Sequence, residues 1–510
     1  MKILFIYSSD GVGPSSKPLR SWTKVQFGIS YLSSMLKAHG HETGLLVLGS
    51  DNKWKQNLPL ITSLLDKFDP RIVCFTAVFS QYSFIEKVAR FIRDNWPEKF
   101  LVIGGVHATL NPELVTKGPF DALCVGEGEY PILELCNQLE TEKTPCGISN
   151  LWFKSADGEI IRTEPRDFLK DLDVLPFPDR QMWKPWINDN PDDEITMLVG
   201  RGCPYDCTYC SNHAIRKVSR GKYVRMRSPE NIIQEITSMY DAYSKRKIFL
   251  EAEAIALDKK WAFELCDKLK DFNRSIGNAI SYGCNFRVSS HSVDEDLFTA
   301  FEKANFYKIN IGLESGSERV RREVLKRNYS NADFLNAVSI AKRHGLAVNV
   351  YNLIGIPGES MRDHMETVRI NHLCQPDDLC TSIFFPYPGT ELYGTCIAKG
   401  LINSSVNKTT RERRKAVLDL PDFSRGQIQR AYRLFARRVY KGRFPWWKNL
   451  LRSVYNQIPS RARTIISHAM IRVPVMRGFR EILKVKLFGP DKVQNNPLYK
   501  SGKVMDAGGE

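Results

Sequence analysis

Three cysteines stand at C-x3-C-x2-C spacing in the stretch Arg201-Gly202-Cys203-Pro204-Tyr205-Asp206-Cys207-Thr208-Tyr209-Cys210. Thiolates this close on one tight loop can hold a metal or a metal–sulfur cluster without long-range folding. A structural zinc ion normally closes with four protein ligands, and an iron–sulfur cluster is usually held by four thiolates. A three-cysteine loop around a cluster therefore leaves one iron free for a small molecule. A zinc knuckle that borrows His213, and three unligated thiols, are the simpler readings of the same spacing.

The elements that must position this loop follow from the hydrophobic pattern. The loop comes after the apolar run 195–199, and further runs recur at 247–250, 280–282, 308–312, 347–353 and 381–385, with helical stretches between them. Six β/α repeats are too few to close an eight-stranded barrel, so an open, partial barrel is expected, with its site at the carboxyl ends of the strands. Polar and glycine residues follow each run. They are Glu251-Ala252-Glu253, Cys284-Asn285-Phe286-Arg287, Gly312-Leu313-Glu314-Ser315-Gly316, Ile354-Gly355-Ile356-Pro357-Gly358-Glu359 and Pro386-Tyr387-Pro388-Gly389-Thr390. One rim thus gathers the residue types that a cofactor site requires.

Ahead of this segment, residues 2–7, 71–76 and 100–103 read as strands and residues 27–39 and 82–95 as helices. The alternation argues for a parallel sheet wrapped by helices. Ligands of such sheets sit beyond the strands' carboxyl ends, where two glycine-bearing loops stand: Gly104-Gly105-Val106-His107-Ala108-Thr109 and Gly126-Glu127-Gly128-Glu129. Residues 146–190, with Pro165, Pro176, Pro178 and Pro185, read as a connector.

Phe27-Gly28-Ile29-Ser30-Tyr31-Leu32, His39-Gly40-His41-Glu42 and the two glycine-bearing loops together resemble the cobalamin-binding domain in front of many radical S-adenosylmethionine (SAM) enzymes. The resemblance spans about 130 residues in matching order. The Asp-x-His-x-x-Gly motif of other cobalamin proteins is absent, which implies cobalt without a protein histidine on its lower face. Gly104, Gly105, His107, Gly126 and Glu127 match positions near cobalamin; for His107 a helix-start or loop hydrogen bond suits better than ligation of cobalt. The segment with the cysteines, including the aromatic Tyr209 before the third, resembles the radical SAM superfamily. This implies that Cys203, Cys207 and Cys210 bind a 4Fe–4S cluster whose free iron is chelated by SAM. Tyr209 would lie near the adenine, and Glu251 or Glu253 would receive the methionyl amine. Arg287 and Glu314 would serve the SAM carboxylate and ribose, and the Ile354–Gly355 backbone the adenine.

The expected fold class is therefore α/β: a Rossmann-like cobalamin-binding domain over 1–145, a connector over 146–190, a partial (β/α)6 radical SAM barrel over 191–400, and a basic, mostly helical region over 401–510. The resemblance implies a 5′-deoxyadenosyl radical used to methylate an unactivated carbon or phosphinate of a biosynthetic intermediate. The same cofactors also serve oxidative cyclisation or C–C bond formation, as in the anaerobic porphyrin-ring cyclases of this group. A different class of reading is a membrane- or RNA-binding protein with a structural cluster. A small-molecule or lipid substrate and an electron donor such as flavodoxin or ferredoxin are the implied partners.

Composition sets the outer bounds. At 510 residues the chain is too long for one ordinary core. No secretory signal or membrane-spanning run is visible, and the cysteines outside the loop, Cys74, Cys124, Cys266, Cys284 and Cys380 among them, read as buried reduced thiols of a cytoplasmic protein. From residue 401 onward there are 24 Lys and Arg against 7 Asp and Glu, whereas the first 400 residues carry 49 against 50. Tryptophan, leucine and arginine interleaved in this tail suit peripheral contact with an anionic inner-membrane surface. They suit nucleic acid less well, and a helical cap that closes the open barrel is the plainest alternative.

Overall fold

The computed structural model describes residues 1–9, 19, 21–50, 52, 54–141, 144–155, 157–187, 194–243, 246–289, 293–402 and 412–443. The chain divides into two units, residues 1–432 and 433–510. Of the second, only 433–443 are described, and they include the end of the helix Arg425–Val439.

The first sheet is built from β1 (Lys2–Ser9), β2 (Glu42–Gly49), β3 (Ile72–Thr76), β4 (Phe100–Gly104), β5 (Ala122–Cys124), β6 (Leu151–Lys154) and β7 (Ile160–Ile161), in the order β2-β1-β3-β4-β5-β6-β7. β1 to β5 pair in parallel. Ile3, Leu4, Phe5 and Ile6 are all buried, because helices cover both faces of the sheet. The order reverses between β1 and β3, the switch point at which such sheets bind ligands beyond their carboxyl ends. The connector differs from its irregular sequence reading. It supplies β6 and β7, which extend the sheet antiparallel, with Leu123 opposite Trp152 and Phe153 opposite Ile161. Strands of four and two residues carry too little periodicity to show in sequence.

The second sheet contains β8 (Ile195–Leu198), then β11 (Lys247–Glu251), β12 (Ser281–Phe286), β13 (Phe306–Glu314), β14 (Ala347–Ile354) and β15 (Asp378–Ile383), after the short antiparallel pair β9 (Gly200–Arg201) and β10 (Arg225–Met226). Its order is β15-β14-β13-β12-β11-β8, all parallel, with β8 and β15 left as open edges. This is the open barrel that six repeats predict. The last strand begins at Asp378, ahead of the expected 381, since Asp378 is exposed and carries no apolar signal.

Beyond the barrel, the Ile383 N–H donates to the Arg413 carbonyl at 2.8 Å, so residues after 412 run along the β15 edge. Ile428 lies over Gly355, and the Phe423 ring is 5.6 Å from His364. The described start of the basic region thus packs on the barrel. The expected membrane contact falls on the tail from residue 441, and from 444 onward that tail lies outside the described residues. Among the described residues no helix is long and apolar enough to cross a membrane.

A buried ion cluster ties the connector to the barrel. Arg180 and Arg227 both pair with Glu235, and all three side chains are at most 4% exposed. Two guanidiniums on one carboxylate compensate the cost of removing it from water only while the set is complete. Glu235→Ala is expected to destabilise the protein by about 3 to 5 kcal/mol, measurable as a lower midpoint in chemical denaturation.

Candidate active site

The cysteine loop is pinned from several sides. Gly202 enters it at a φ of +86°, and a Cβ there would fall 2.2 Å from the Tyr223 carbonyl oxygen, so only glycine fits. Within the loop the Cys210 N–H donates to the Cys207 carbonyl at 3.0 Å, and the Thr208 carbonyl accepts from Leu392 N–H at 2.9 Å. The Thr208 hydroxyl donates to the Val324 carbonyl at 2.6 Å, and Arg216 to the Pro204 carbonyl at 2.6 Å.

Donors also face the sulfurs. Arg287 Nη1 donates to Cys207 Sγ at 3.2 Å while its guanidinium stacks 3.6 Å from the Tyr205 ring centroid. Asn212 Nδ2 approaches Cys210 Sγ at 3.6 Å, with its own Oδ1 held by the Tyr223 hydroxyl at 2.6 Å. Burial pushes the Cys203 thiol up to about 11 and also raises Cys210. Any metal bound here must therefore displace protons. The donor set fits a cluster, since hydrogen bonds to sulfur are a means of supporting one. For the zinc knuckle, His213 Nε2 accepts from the Glu391 N–H at 3.2 Å, and among the described residues no three His, Cys, Asp or Glu side chains form a single-ion site.

A cavity of about 930 Å3 opens over this loop. The barrel contributes Cys203, Cys207, Cys210, Tyr209, Glu251, Glu253, Asn285, Arg287, Asn310, Glu314 and Arg327 to its lining, and the N-terminal sheet contributes Val78, Phe79, Val106, His107, Leu110 and Asn111. The two acids that sequence left undivided are separated here. Glu253 lies close enough to Cys203 and Cys210 to reinforce the effect of burial on both thiols. Glu251 sits deeper on its strand and accepts from Asn285 Nδ2 at 3.0 Å, and burial, with Glu253 nearby, pushes its carboxyl up to about 7.

Glu314 stands after a β-bulge at a φ of +59°, and burial raises its carboxyl even with Arg327 Nη1 3.2 Å away. The same Arg327 nitrogen donates to the Tyr209 hydroxyl at 3.0 Å, and its neighbour Nη2 to the Gly312 carbonyl at 2.8 Å. Arg327 had no signal in sequence, because it lies outside any strand end. Ile354 and Gly355 do not line the cavity. The Ile354 carbonyl accepts from Phe384 N–H at 2.8 Å, and the Gly355 N–H goes to Glu359 at 2.6 Å. Cys380 was expected to be buried; it is exposed and lines the cavity, on the edge strand β15.

A second cavity, about 350 Å3 and mostly apolar, lies at the switch point and is lined by Phe5, Phe27, Phe75, Gly104, Gly105, Gly126 and Glu127, with Val106 shared between the two cavities. At Gly105, φ is +93° and a Cβ would meet Thr76 Oγ1 at 2.6 Å, so the cradle depends on a missing side chain. That shape fits a large flat group approaching backbone. Glu127 lines the cavity, yet its carboxylate is committed. It accepts from Arg201 at 3.0 Å, from Arg225 at 3.0 Å and from the Leu169 N–H at 3.0 Å. Burial opposes ionisation of Glu127, but these partners hold it below the usual carboxylate range. Arg201 reaches Glu129 as well, at 2.6 Å.

His107 is 3% exposed, with Tyr82 and Phe79 rings 4.7 and 5.6 Å away and its Nε2 buried without a partner among the described residues. Burial lowers it to about 4.

A three-thiol loop at the carboxyl rim of an open parallel barrel, facing a glycine-lined cleft, defines a cluster-dependent enzyme with a second, large cofactor. The Radical SAM superfamily profile matches residues 197–370, and the B12 binding domain profile residues 25–136. The chain thus carries a radical SAM domain behind a B12-binding domain, and its cofactors are a 4Fe–4S cluster, SAM and cobalamin. Over 432 residues it is 27% identical to the uncharacterized methyltransferase PH0819 of Pyrococcus horikoshii, covering 83% of this chain and 87% of that protein. It is 23% identical over 404 residues to the anaerobic magnesium-protoporphyrin IX monomethyl ester cyclase of Rubrivivax gelatinosus, covering 77% and 69%. The radical S-adenosylmethionine methyltransferase TsrM of Kitasatospora setae, solved with cobalamin and a 4Fe–4S cluster, shares the fold at a TM-score of 0.61 and 17% identity, over 78% of this chain and 75% of that one.

Two outcomes follow from this geometry. Gly202→Ala should lower the iron bound per chain severalfold after anaerobic reconstitution, read by a ferrozine assay, while circular dichroism stays unchanged. His107 binds no proton in the folded state between pH 6.5 and about 4, where the unfolded chain does, so stability should fall as pH drops through that window. His107→Phe should remove about 2 to 3 kcal/mol of that slope, measured by urea denaturation at several pH values.

Proposed function

We propose that this enzyme methylates an unactivated carbon, or a phosphinate centre, of a small-molecule biosynthetic intermediate. One observation carries the reading: the three cysteines and the Val106–His107 loop of the B12-binding domain line a single cavity. When bound, the cluster, SAM and cobalamin supply an electron, a 5′-deoxyadenosyl radical and a methyl group.

The chain's own residues have distinct tasks. Cys203, Cys207 and Cys210 hold the cluster, and the donors from Arg287 and Asn212 disperse charge on its sulfurs. Glu253, beside those cysteines, receives the methionyl amine. Arg287, which lines the same cavity, serves the SAM carboxylate. Glu314, tethered by Arg327, faces the ribose, and Tyr209 the adenine. Gly104, Gly105 and Gly126 line the cleft for cobalamin. The apolar walls Phe79, Phe384 and Phe385 exclude water from the radical. A flavodoxin- or ferredoxin-like donor supplies the electron.

The similarity to a ring cyclase favours one competing reading, oxidative ring closure with the same cofactors. The two differ in what happens to SAM. Methyl transfer consumes one SAM for the radical and one for the methyl, so 5′-deoxyadenosine and S-adenosylhomocysteine should accumulate together in about equal amounts. The measurement is anaerobic turnover with reductant, SAM and cell extract as substrate source, followed by chromatography. Cys207→Ala should abolish 5′-deoxyadenosine. Deoxyadenosine without S-adenosylhomocysteine would point to cyclisation, and neither product from the iron-loaded wild type would sink both readings.

A further inference from the structure

A closed barrel fills its interior with branched aliphatic side chains. The inward row at mid-height of this barrel is polar instead. Asn285 is in register with Asn310, and Asn310 with Asn349, across three adjacent strands. Their side chains follow the register: Asn349 Nδ2 donates to Asn310 Oδ1 at 3.2 Å, Asn310 Nδ2 to Asn285 Oδ1 at 3.1 Å, and Asn285 Nδ2 to Glu251 Oε1 at 3.0 Å. All three amides donate in one direction, and the series ends on a carboxylate. Asn349 Oδ1, at the far end, is buried without a partner among the described residues.

Glu251 also lines the cavity beneath the cluster loop. Among the described residues no cation pairs with it. The nearest, Lys308, two residues before Asn310 on β13, is taken by Glu194 at 2.6 Å. After burial, the Glu253 and Glu194 carboxylates are the charges that raise Glu251, and Lys308 offsets them only in part. The floor is therefore a negative, partly desolvated spot with an oriented acceptor, and such a carboxylate is costly until a cation meets it. The apolar side chains Leu353, Ile383, Phe384, Phe385 and Phe79 line the same cavity, with Tyr351, Ser382 and Arg413 as polar neighbours.

We infer that Glu251, at the end of the Asn349–Asn310–Asn285 amide ladder, receives the protonated amine of an otherwise apolar small-molecule substrate. The inference rests on the proposed function above, in which Glu253 and not Glu251 serves SAM.

The test uses holoenzyme reconstituted with cluster and cobalamin and saturated with S-adenosylhomocysteine. It is titrated with n-hexylamine and n-hexanol by ligand-observed NMR at about pH 7.5, well below the usual alkylamine pKa of about 10.4. Wild type should bind hexylammonium about tenfold or more tightly than hexanol, and Glu251→Gln, which keeps an oxygen for Asn285, should lose that preference. In parallel, SAM binding without reductant is measured by calorimetry. Glu251→Gln should stay within about twofold of wild type and Glu253→Gln should weaken by about tenfold or more. Equal binding of hexylamine and hexanol by wild type, or a preference that survives in Glu251→Gln, overturns the inference whatever the variants' stability. Loss of SAM binding in Glu251→Gln with retention in Glu253→Gln also overturns it, while leaving the radical SAM reading intact.

Discussion

The site depends on one ion network. Arg201 stands two residues before Cys203 and is gripped by Glu127, in the loop after β5, and by Glu129, the first residue of the helix that follows in the B12-binding domain. Arg225, on the strand paired with Arg201, closes the set on Glu127. Arg201 and Arg225 are 16% and 3% exposed. Charges this sheltered are worth most as a complete set, and breaking one strands the others. The consequence is geometric. The root of the cysteine loop and the rim of the glycine cleft share side chains, so a salt-bridged joint helps to set the two cavities relative to one another.

The open barrel makes that joint necessary. With six strands and free edges at β8 and β15, the sheet cannot enclose its own reaction space. The missing wall comes from the N-terminal loops, where Phe79 meets Phe385 at 5.6 Å between ring centroids. An aromatic pair across that seam adds apolar area where water must be kept out.

Much of this was legible in the residues. The three cysteines, the two glycine loops and most of the strand-end segments line the cavities as the pattern expects, Ile354–Gly355 excepted, because spacing along a chain is preserved at turns and strand termini. What failed to show was long-range pairing. Glu127 reads as a cofactor contact in sequence, yet its partners, Arg201 and Arg225, lie 74 and 98 residues away. Arg327 reaches Tyr209 across 118 residues. The asparagine ladder was equally hidden: Asn285, Asn310 and Asn349 are unremarkable singly, and become a row only when parallel pairing sets their register. The short strands of the connector were missed for a different reason, since Ile160–Ile161 offers no periodicity to read.

The segment after residue 412 has a bearing on how the protein survives in solution. β15 is an edge strand of a parallel sheet, and an edge strand is a template on which another chain's strand can add. Arg413 occupies part of that edge through the Ile383 N–H, and Val417, Leu418 and Phe423 bury themselves beyond it. The start of the basic region therefore covers part of the barrel's last edge, where another chain's strand could otherwise pair.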